Sequence, residues 1–271
     1  DVSLLINGLP MIQIELKNNA HSYMDAFRQV QKYMQQGKYT GIFSCLQMFV
    51  VSNGTDTRYI ASAVCGKLKE QFLSTWVDKN NKAVNNYLDF TEHVLSIPQA
   101  HKMVTQYTVI DSKKKALILL RPYQIHAIEA IKVASKRQES GYVWHTTGSG
   151  KTITSFKTAW LASRMPNVDK VVFVVDRIAL TKQTEANYKA YDPEGSIDID
   201  GKQFDTVGGT ENTSALKKKL NEKGYGIIVT SVQKLNTLIN RKDFVVPKKN
   251  FVFIVDEAHR STGGESFEDL Q

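Results

Sequence analysis

The fold of this chain is decided by Tyr142-Val-Trp-His-Thr-Thr-Gly-Ser-Gly-Lys-Thr-Ile153. The apolar start of this stretch predicts a short strand that ends at Trp144, and a helix is expected to begin near Lys151. Gly148 and Gly150 allow the intervening turn to point consecutive N–H groups at an anion. The positive end of the helix dipole adds to this attraction. The stretch therefore predicts a phosphate-binding loop.

The side chains of this loop are suited to a nucleotide bound together with Mg²⁺. Lys151 can reach the β- and γ-phosphates, and the Thr152 hydroxyl can bind Mg²⁺. The pattern G-x-x-x-x-G-K-S/T is matched except at its first position, where His145 replaces glycine. A solvated Gly-Ser turn is the alternative for this stretch taken alone. The predicted nucleotide-binding residues of the loop are Gly148, Ser149, Gly150, Lys151 and Thr152.

A second apolar run predicts the other half of this site. Phe251–Val255 is continuously apolar, which is typical of a strand buried on both faces of a parallel sheet. Asp256-Glu-Ala-His259 follows, at the strand end where open α/β sheets bind their ligands. We predict that Asp256 holds Mg²⁺ and that Glu257 orients and deprotonates the attacking water. A surface helix start is the alternative, and the preceding phosphate-binding loop disfavours it.

Composition limits the class of protein. A length of 271 residues favours about two domains. The net charge of +8 favours a polyanionic partner such as nucleic acid. No apolar run exceeds five residues, so we expect no membrane-spanning segment. Cys45 and Cys65 predict core thiols in a reducing compartment, the cytoplasm. Because the chain starts without Met and ends soon after residue 259, we expect it to belong to a longer protein.

The first residues predict a β-hairpin. Val2–Ile6 and residues 11–17 are strand-like and flank Asn7-Gly8, a strong hairpin signal. Folding about Gly8 places Asp1 opposite Glu15, or one residue away if the loop has two residues.

This hairpin gathers charged groups. Strand alternation puts one set of side chains on each face of the second strand: Ile12, Ile14 and Leu16 on one, and Gln13, Glu15 and Lys17 on the other. Asp1 and Glu15 could bind Mg²⁺ through their oxygens, and Lys17 could orient the attacking water or stabilise phosphate charge. From the hairpin alone, a solvated strand face is the favoured interpretation of Glu15 and Lys17.

A helix and two more strands are predicted next. Residues 21–36 have apolar side chains at helical spacing, and residues 46–63 are strand-like with a turn at Asn53-Gly54. Gln29 and Tyr33 are four residues apart, so both lie on one face of the helix, near the hairpin. An ordinary polar helix flank is the alternative for these two.

Taken together, Asp1, Glu15-Leu-Lys17 and Gln29-x-x-x-Tyr33 resemble the core of a PD-(D/E)xK nuclease with the Q-x-x-x-Y helix of the RecB-like group. Joined to a P-loop and a D-E-A-H segment, they resemble the restriction (motor) subunit of type I restriction–modification enzymes. The likeness extends to residues 7–17, 49–59 and 144–152. In such nucleases a further acidic residue often precedes the first Asp, and here it would lie before residue 1.

The resemblance implies a fold and a function. It implies ATP-driven movement along double-stranded DNA and Mg²⁺-dependent phosphodiester cleavage, with ATP and Mg²⁺ as cofactors. Methyltransferase and specificity subunits are the implied partners. The implied fold is α/β, with a PD-(D/E)xK domain at residues 1–112 and a doubly wound, RecA-like lobe at 113–271. Residues 111–115 form a polar, charged break between them.

Resemblance to superfamily 2 helicases implies further site residues. Gln124 would bind adenine, because a carboxamide both donates to and accepts from a base edge. DNA-backbone contacts are expected after the strands at 171–175 and 227–231, where donors suited to phosphate occur. These candidates are Arg177, Thr181, Thr230, Ser231 and Gln233. A purely structural role is the alternative for each of them.

Two other functions fit the same motifs. A repair helicase with an inert nuclease-like domain would differ by failing to nick plasmid DNA in the presence of Mg²⁺. A non-enzymatic nucleotide switch would differ by lacking ATP turnover stimulated by duplex DNA. Glu257 argues against the switch, because its carboxylate is suited to activating water.

Overall fold

A computed structural model describes residues 1–62, 68–176 and 178–258, without the side chains of residues 179 and 197. The chain forms two compact units, Asp1–Glu139 and Ser140–Gln271. The first unit therefore extends beyond residue 112, where the sequence-based division was placed. That division into functional domains stays a prediction.

The first unit is built around a four-stranded sheet. Its strands and helices, in chain order, are β1 (Val2–Ile6), β2 (Leu9–Leu16), α1 (Tyr23–Gln35), β3 (Met48–Ser52), β4 (Thr57–Ala61), α2 (Tyr87–Phe90), α3 (Gln99–Thr105), β5 (Thr108–Asp111), β6 (Ala116–Leu119) and α4 (Pro122–Lys136). The sheet order is β1-β2-β3-β4, with β2 and β3 parallel and the two outer pairs antiparallel. β5 and β6 form a separate hairpin.

The predicted N-terminal hairpin is confirmed, and its register has a physical cause. Asn7 and Gly8 both adopt left-handed conformations, with φ of 51° and 82°, and they form a two-residue loop. Such a loop alone would shift the pairing by one residue. An irregularity between Leu4 and Leu5 removes this shift, so Val2 pairs with Ile14. Continuing that register places position 1 opposite position 15.

Helix α1 covers one face of this sheet. It begins after Ser22, whose hydroxyl accepts a hydrogen bond from the Met24 N–H. Its apolar side chains pack with those of β3 and β4 in one buried cluster: Ala26, Phe27, Val30, Leu46, Phe49, Val51, Ile60 and Leu68. The helix predicted at residues 21–36 and the two strands after it are confirmed.

This cluster should carry much of the stability of the first unit. Phe27 is 1% exposed, so Phe27→Ala should lower the free energy of unfolding by about 3–5 kcal/mol through lost burial and the cavity left behind. Urea denaturation measures this change. Arg28→Ala on the same helix is the control, because its ion pair with Asp25 is exposed and contributes at most about 1 kcal/mol. Equal effects of the two changes would contradict the packing described here.

The second unit contains a parallel sheet with helices on both faces. Its strands and helices are α5 (Lys151–Ala162), β7 (Lys170–Val175), α6 (Ile178–Tyr191), β8 (Ser196–Ile199), β9 (Lys202–Asp205), β10 (Val207–Gly209), α7 (Thr213–Asn221), β11 (Ile227–Ser231), α8 (Val232–Ile239) and β12 (Phe251–Val255). The sheet order is β10-β11-β7-β12, all parallel. β8 and β9 form an antiparallel hairpin.

Alternate residues of β7 show how this sheet is covered. Val172 and Val174 pack in the cluster that contains the apolar side chains of α7 and α8. Phe173, on the opposite face, packs against Tyr188 of α6 with a ring-centroid distance of 5.0 Å. Tyr188 in turn contacts Phe156 of α5. Helices on both faces of a parallel sheet confirm the predicted doubly wound α/β arrangement.

One strand prediction is wrong, and the burial expected for a second strand is not observed. The strand expected to end at Trp144 is absent, since residues 141–146 have no regular structure and pair with none of the described strands. Tyr142 and Trp144 are 85% and 88% exposed, and their rings contact each other. β12 was expected to be buried on both faces, yet it is the last strand in the sheet order and Phe253 is 50% exposed. An apolar run predicts a strand but not its neighbours.

Candidate functional sites

Polar side chains of α1 and of the end of β2 form a partly buried network in the first unit. Lys17 lies directly after β2, and its Nζ donates to Glu15 Oε1 at 3.0 Å and to Gln29 Oε1 at 2.8 Å. Gln29 Nε2 donates to the Tyr33 hydroxyl at 2.5 Å. The structure thus brings together four of the five residues that the sequence predicts for the nuclease site.

Glu15 determines what this network can bind. Its carboxylate is 1% exposed, so the solvated strand face considered from the sequence is wrong for this residue. A buried carboxylate is costly unless its oxygens are paired. Lys17 pairs with Oε1, whereas Oε2 has no hydrogen-bond partner within the described residues. An unpartnered, buried carboxylate oxygen fits a hard cation such as Mg²⁺.

Asp1, the fifth predicted residue, is exposed and lies just before β1. Within the described ranges, no three His, Cys, Asp or Glu side chains are grouped so that they could hold a metal ion. The register places position 1 opposite Glu15, and a shared metal site for these two residues stays a prediction.

Tyr39 belongs to this region but was not found from the sequence. Its hydroxyl is buried without a hydrogen-bond partner within the described residues. Burial, followed by the charge of Glu15 and the neighbouring Tyr33, raises the pKa of Tyr39 to about 12. Tyr39 lies after the end of α1, so helical spacing could not have identified it.

The glycine-rich loop of the second unit has the backbone that the sequence predicts for a phosphate-binding loop. Gly148 and Gly150 adopt left-handed conformations, with φ of 78° and 81°, and α5 begins at Lys151. Side chains are disfavoured at such φ values, which explains the glycines. The loop is closed by Ser149, whose hydroxyl donates to the Thr146 carbonyl at 2.7 Å.

His145 takes part in the same loop. Its Nδ1 lies 2.9 Å from Ser149 Oγ. Because that hydroxyl donates its hydrogen to Thr146, Nδ1 must carry a hydrogen and donate. Burial and the charge of Lys151 lower the pKa of His145, which favours the neutral ring. The residue that departs from the expected glycine therefore forms a hydrogen bond within the loop.

The loop and the D-E-A-H segment meet at one ion pair. Lys151 Nζ donates to Glu257 Oε1, although the two residues are 106 positions apart. Asp256 directly follows β12, and its N–H donates to the Val174 carbonyl of β7 at 2.9 Å. This bond continues the pairing of β12 with β7 by one residue. Burial raises the pKa of Asp256, and the positive charge of Lys151 opposes this effect. Thr152 is exposed at the start of α5, and His259 lies outside the described residues.

Gln124 lies in the first unit, in the first turn of α4. Its Oε1 accepts a hydrogen bond from the Arg121 N–H at 2.9 Å, and the side chain is buried. The carboxamide therefore helps to start the helix, and its contact with adenine stays a prediction.

The candidate DNA contacts are mostly internal. Thr230 and Ser231 are fully buried at the end of β11, where the first bonds the Thr210 hydroxyl and the second accepts from the Lys234 N–H. Thr181 is also buried. Gln233 donates to the Asp176 carbonyl at 3.0 Å. Arg177 lies outside the described residues. DNA contact by these five residues stays a prediction.

None of the helices in the described ranges combines the length and the apolar character needed to cross a membrane.

Two family models match this chain, one at its N-terminal part and one at the part that contains the glycine-rich loop and the D-E-A-H segment. The model of the N terminus of the type I restriction enzyme R protein matches residues 1–64. The model of the type III restriction enzyme res subunit matches residues 117–271, more than half of the chain. With a parallel sheet between helices, this match identifies the second unit as part of a RecA-like lobe.

Individual relatives agree. The endonuclease subunit of the type I restriction enzyme SsaAORF53P of Staphylococcus saprophyticus is 40% identical over 269 residues, which are 98% of this chain and 28% of the relative. The C-terminal part of the MpnIIP endonuclease subunit of Mycoplasma pneumoniae is 36% identical over 212 residues, covering 72% of this chain and 97% of that relative. Among solved structures, the chain matches a nuclease-deletion mutant of the Type ISP restriction-modification enzyme LlaGI in complex with a DNA substrate mimic. The sequence identity is 24% and the TM-score is 0.41, and the match covers 56% of this chain and 16% of that chain. The chain spans 28% of the length of several curated relatives. By its family models and its relatives, the chain belongs to the endonuclease subunits of type I restriction enzymes.

Proposed function

We propose that the chain carries two separate sites of one restriction enzyme: a Mg²⁺-dependent DNA-cleaving site of the PD-(D/E)xK type and the first half of an ATP-driven motor on double-stranded DNA. The observation that supports this proposal is the partly buried hydrogen-bond network of Glu15, Lys17, Gln29 and Tyr33. Methyltransferase and specificity subunits are the proposed partners, and the cytoplasm is the proposed compartment.

The residues of the first site have distinct roles. Glu15 holds Mg²⁺ through Oε2, and Asp1 supplies the second carboxylate. The cation, when bound, supplies Lewis-acid stabilisation of phosphate charge. Lys17 places its ammonium group beside the scissile phosphate, where it stabilises developing negative charge. Gln29 holds Lys17 in place, and Tyr33 holds Gln29 in turn.

The residues of the second site bind ATP with Mg²⁺. The N–H groups of residues 148–151 surround the phosphates, and Lys151 leaves Glu257 to bind the β- and γ-phosphates. Thr152 and Asp256 hold Mg²⁺. Glu257, released from Lys151, accepts the proton of the attacking water. The ion pair between Lys151 and Glu257 supports this assignment, because it shows that the two side chains are close enough to act on one ligand.

Nucleotide binding tests the second site. Lys151→Ala in the complete subunit should weaken ATP–Mg²⁺ binding about 10–100-fold, because charge-assisted hydrogen bonds to phosphate are lost. Calorimetric titration measures the affinity. Lys218→Ala, an exposed lysine on α7, is the matched control. Wild-type ATP affinity of Lys151→Ala would remove this loop from the proposed site.

A further inference from the structure

Six buried side-chain atoms of the first unit lack hydrogen-bond partners within the described residues, and two of them belong to residues of the proposed nuclease region. These two are Oε2 of Glu15 and the hydroxyl of Tyr39. An unpartnered buried polar group destabilises a fold unless a ligand or water satisfies it. Phenylalanine would supply the same ring as Tyr39 without this cost. The hydroxyl therefore requires an explanation other than packing.

The ring of Tyr39 is held over the face of the sheet that carries Glu15. It packs against Phe49 of β3 with a centroid distance of 5.1 Å. The parallel register pairs Gln13 with Phe49 and Glu15 with Val51, so Phe49 lies on the same face as Glu15. The ring of Tyr33, the last residue of the partly buried network, makes a T-shaped contact with Tyr39, with a centroid distance of 6.4 Å and an interplanar angle of 77°.

The chemistry of Tyr39 suits a hydrogen-bond donor. Burial and, to a smaller extent, the charge of Glu15 raise the pKa of Tyr39 to about 12. The hydroxyl therefore keeps its hydrogen at neutral pH and can donate it to an oxygen atom. Glu15 Oε2 can only accept, so a cation with a water ligand would satisfy both groups at once.

We propose that Tyr39 is a positioning residue of the nuclease site, whose hydroxyl donates a hydrogen bond to a water molecule in the coordination shell of the Mg²⁺ held by Glu15. This inference rests on the proposed function of the first site. Hydrogen-bond partners of this kind typically change cation affinity or activity about 10–100-fold when they are removed.

Cation binding without DNA or nucleotide tests the inference. Mg²⁺ is titrated into the complete subunit by calorimetry, and the binding that Glu15→Gln abolishes is assigned to this site. Tyr39→Phe should weaken that binding about 10-fold. Its melting temperature without Mg²⁺ should equal or exceed that of wild type, because an unpartnered hydroxyl has been removed. Tyr23→Phe is the matched control: Tyr23 packs against the same buried cluster, and it should bind Mg²⁺ as wild type does.

A second readout separates positioning from a structural role. In the complete enzyme, Tyr39→Phe should raise the Mg²⁺ concentration needed for half-maximal DNA cleavage about 10-fold, and cleavage should recover as Mg²⁺ is increased. A variant weakened only in folding would show a lower melting temperature and no such recovery.

The outcomes distinguish the two proposals. If Glu15→Gln loses Mg²⁺ binding while Tyr39→Phe keeps wild-type affinity, the role of Tyr39 is overturned and the nuclease site stands. An effect of Tyr39→Phe that appears only with DNA would also overturn it, because the partner would then be a phosphate oxygen. If Glu15→Gln binds Mg²⁺ as wild type does, the proposed nuclease site fails, and the inference fails with it.

Discussion

Lys17→Ala should lower DNA cleavage by the complete restriction enzyme by about 10²–10³-fold, the effect typical of removing one group that stabilises transition-state charge. Lys17 contacts both Glu15 and Gln29, so its loss also leaves the buried Glu15 carboxylate unpaired. Cleavage is measured as conversion of circular plasmid DNA that contains a recognition site. Lys32→Ala, an exposed lysine in the last turn of α1, should cleave at the wild-type rate.

Cleavage by Lys17→Ala at the wild-type rate would exclude this lysine from the reaction and reduce the network to a structural feature. A melting temperature close to that of wild type is required for the comparison, because an unpaired buried carboxylate also weakens the fold.

Glu257→Gln should abolish movement along DNA while nucleotide binding persists. Without its carboxylate, the site loses the general base, and ATP turnover should fall by about 10²–10⁴-fold. ATP affinity should stay equal or increase, because the triphosphate no longer competes with a carboxylate for Lys151. Cleavage far from the recognition site should be lost as well, since the nuclease is not carried there.

Three quantities are measured for this variant: ATP turnover, ATP affinity and the displacement of a triplex-forming strand from DNA. Glu211→Gln, an exposed carboxylate before α7, should behave as wild type in each of them. Unimpaired translocation by Glu257→Gln would remove this residue from the role of general base.

The parts of the structure that follow from local sequence were predictable. Asn7-Gly8 predicts the hairpin because both residues accept left-handed conformations, and Gly148 and Gly150 predict the turn before α5 for the same reason. The network of Glu15, Lys17, Gln29 and Tyr33 also follows from short-range spacing, because strand and helix periodicity each place two members on one face.

Features set by distant parts of the chain were not predictable in this way. Burial of Glu15 depends on α1 and β3, which are distant in sequence. Trp144 is exposed because none of the strands in the described part of the chain pairs with its segment. The hydroxyls of Thr230 and Ser231 looked suited to phosphate, yet the fold buries them at the end of β11. Tyr39 lies after the end of α1, where helical periodicity does not apply. Polarity alone does not show whether a side chain faces solvent.

The central claim is that the nuclease and the motor use separate residues. ATP turnover by the Lys17→Ala enzyme, stimulated by DNA that contains a recognition site, tests this claim most directly. We predict turnover within about twofold of wild type in a variant that no longer cleaves, because the Lys17 ammonium group hydrogen-bonds Glu15 and Gln29, two residues of the first unit. Loss of ATP turnover in a variant that folds normally would contradict the claim and assign Lys17 to a structural role shared by both activities.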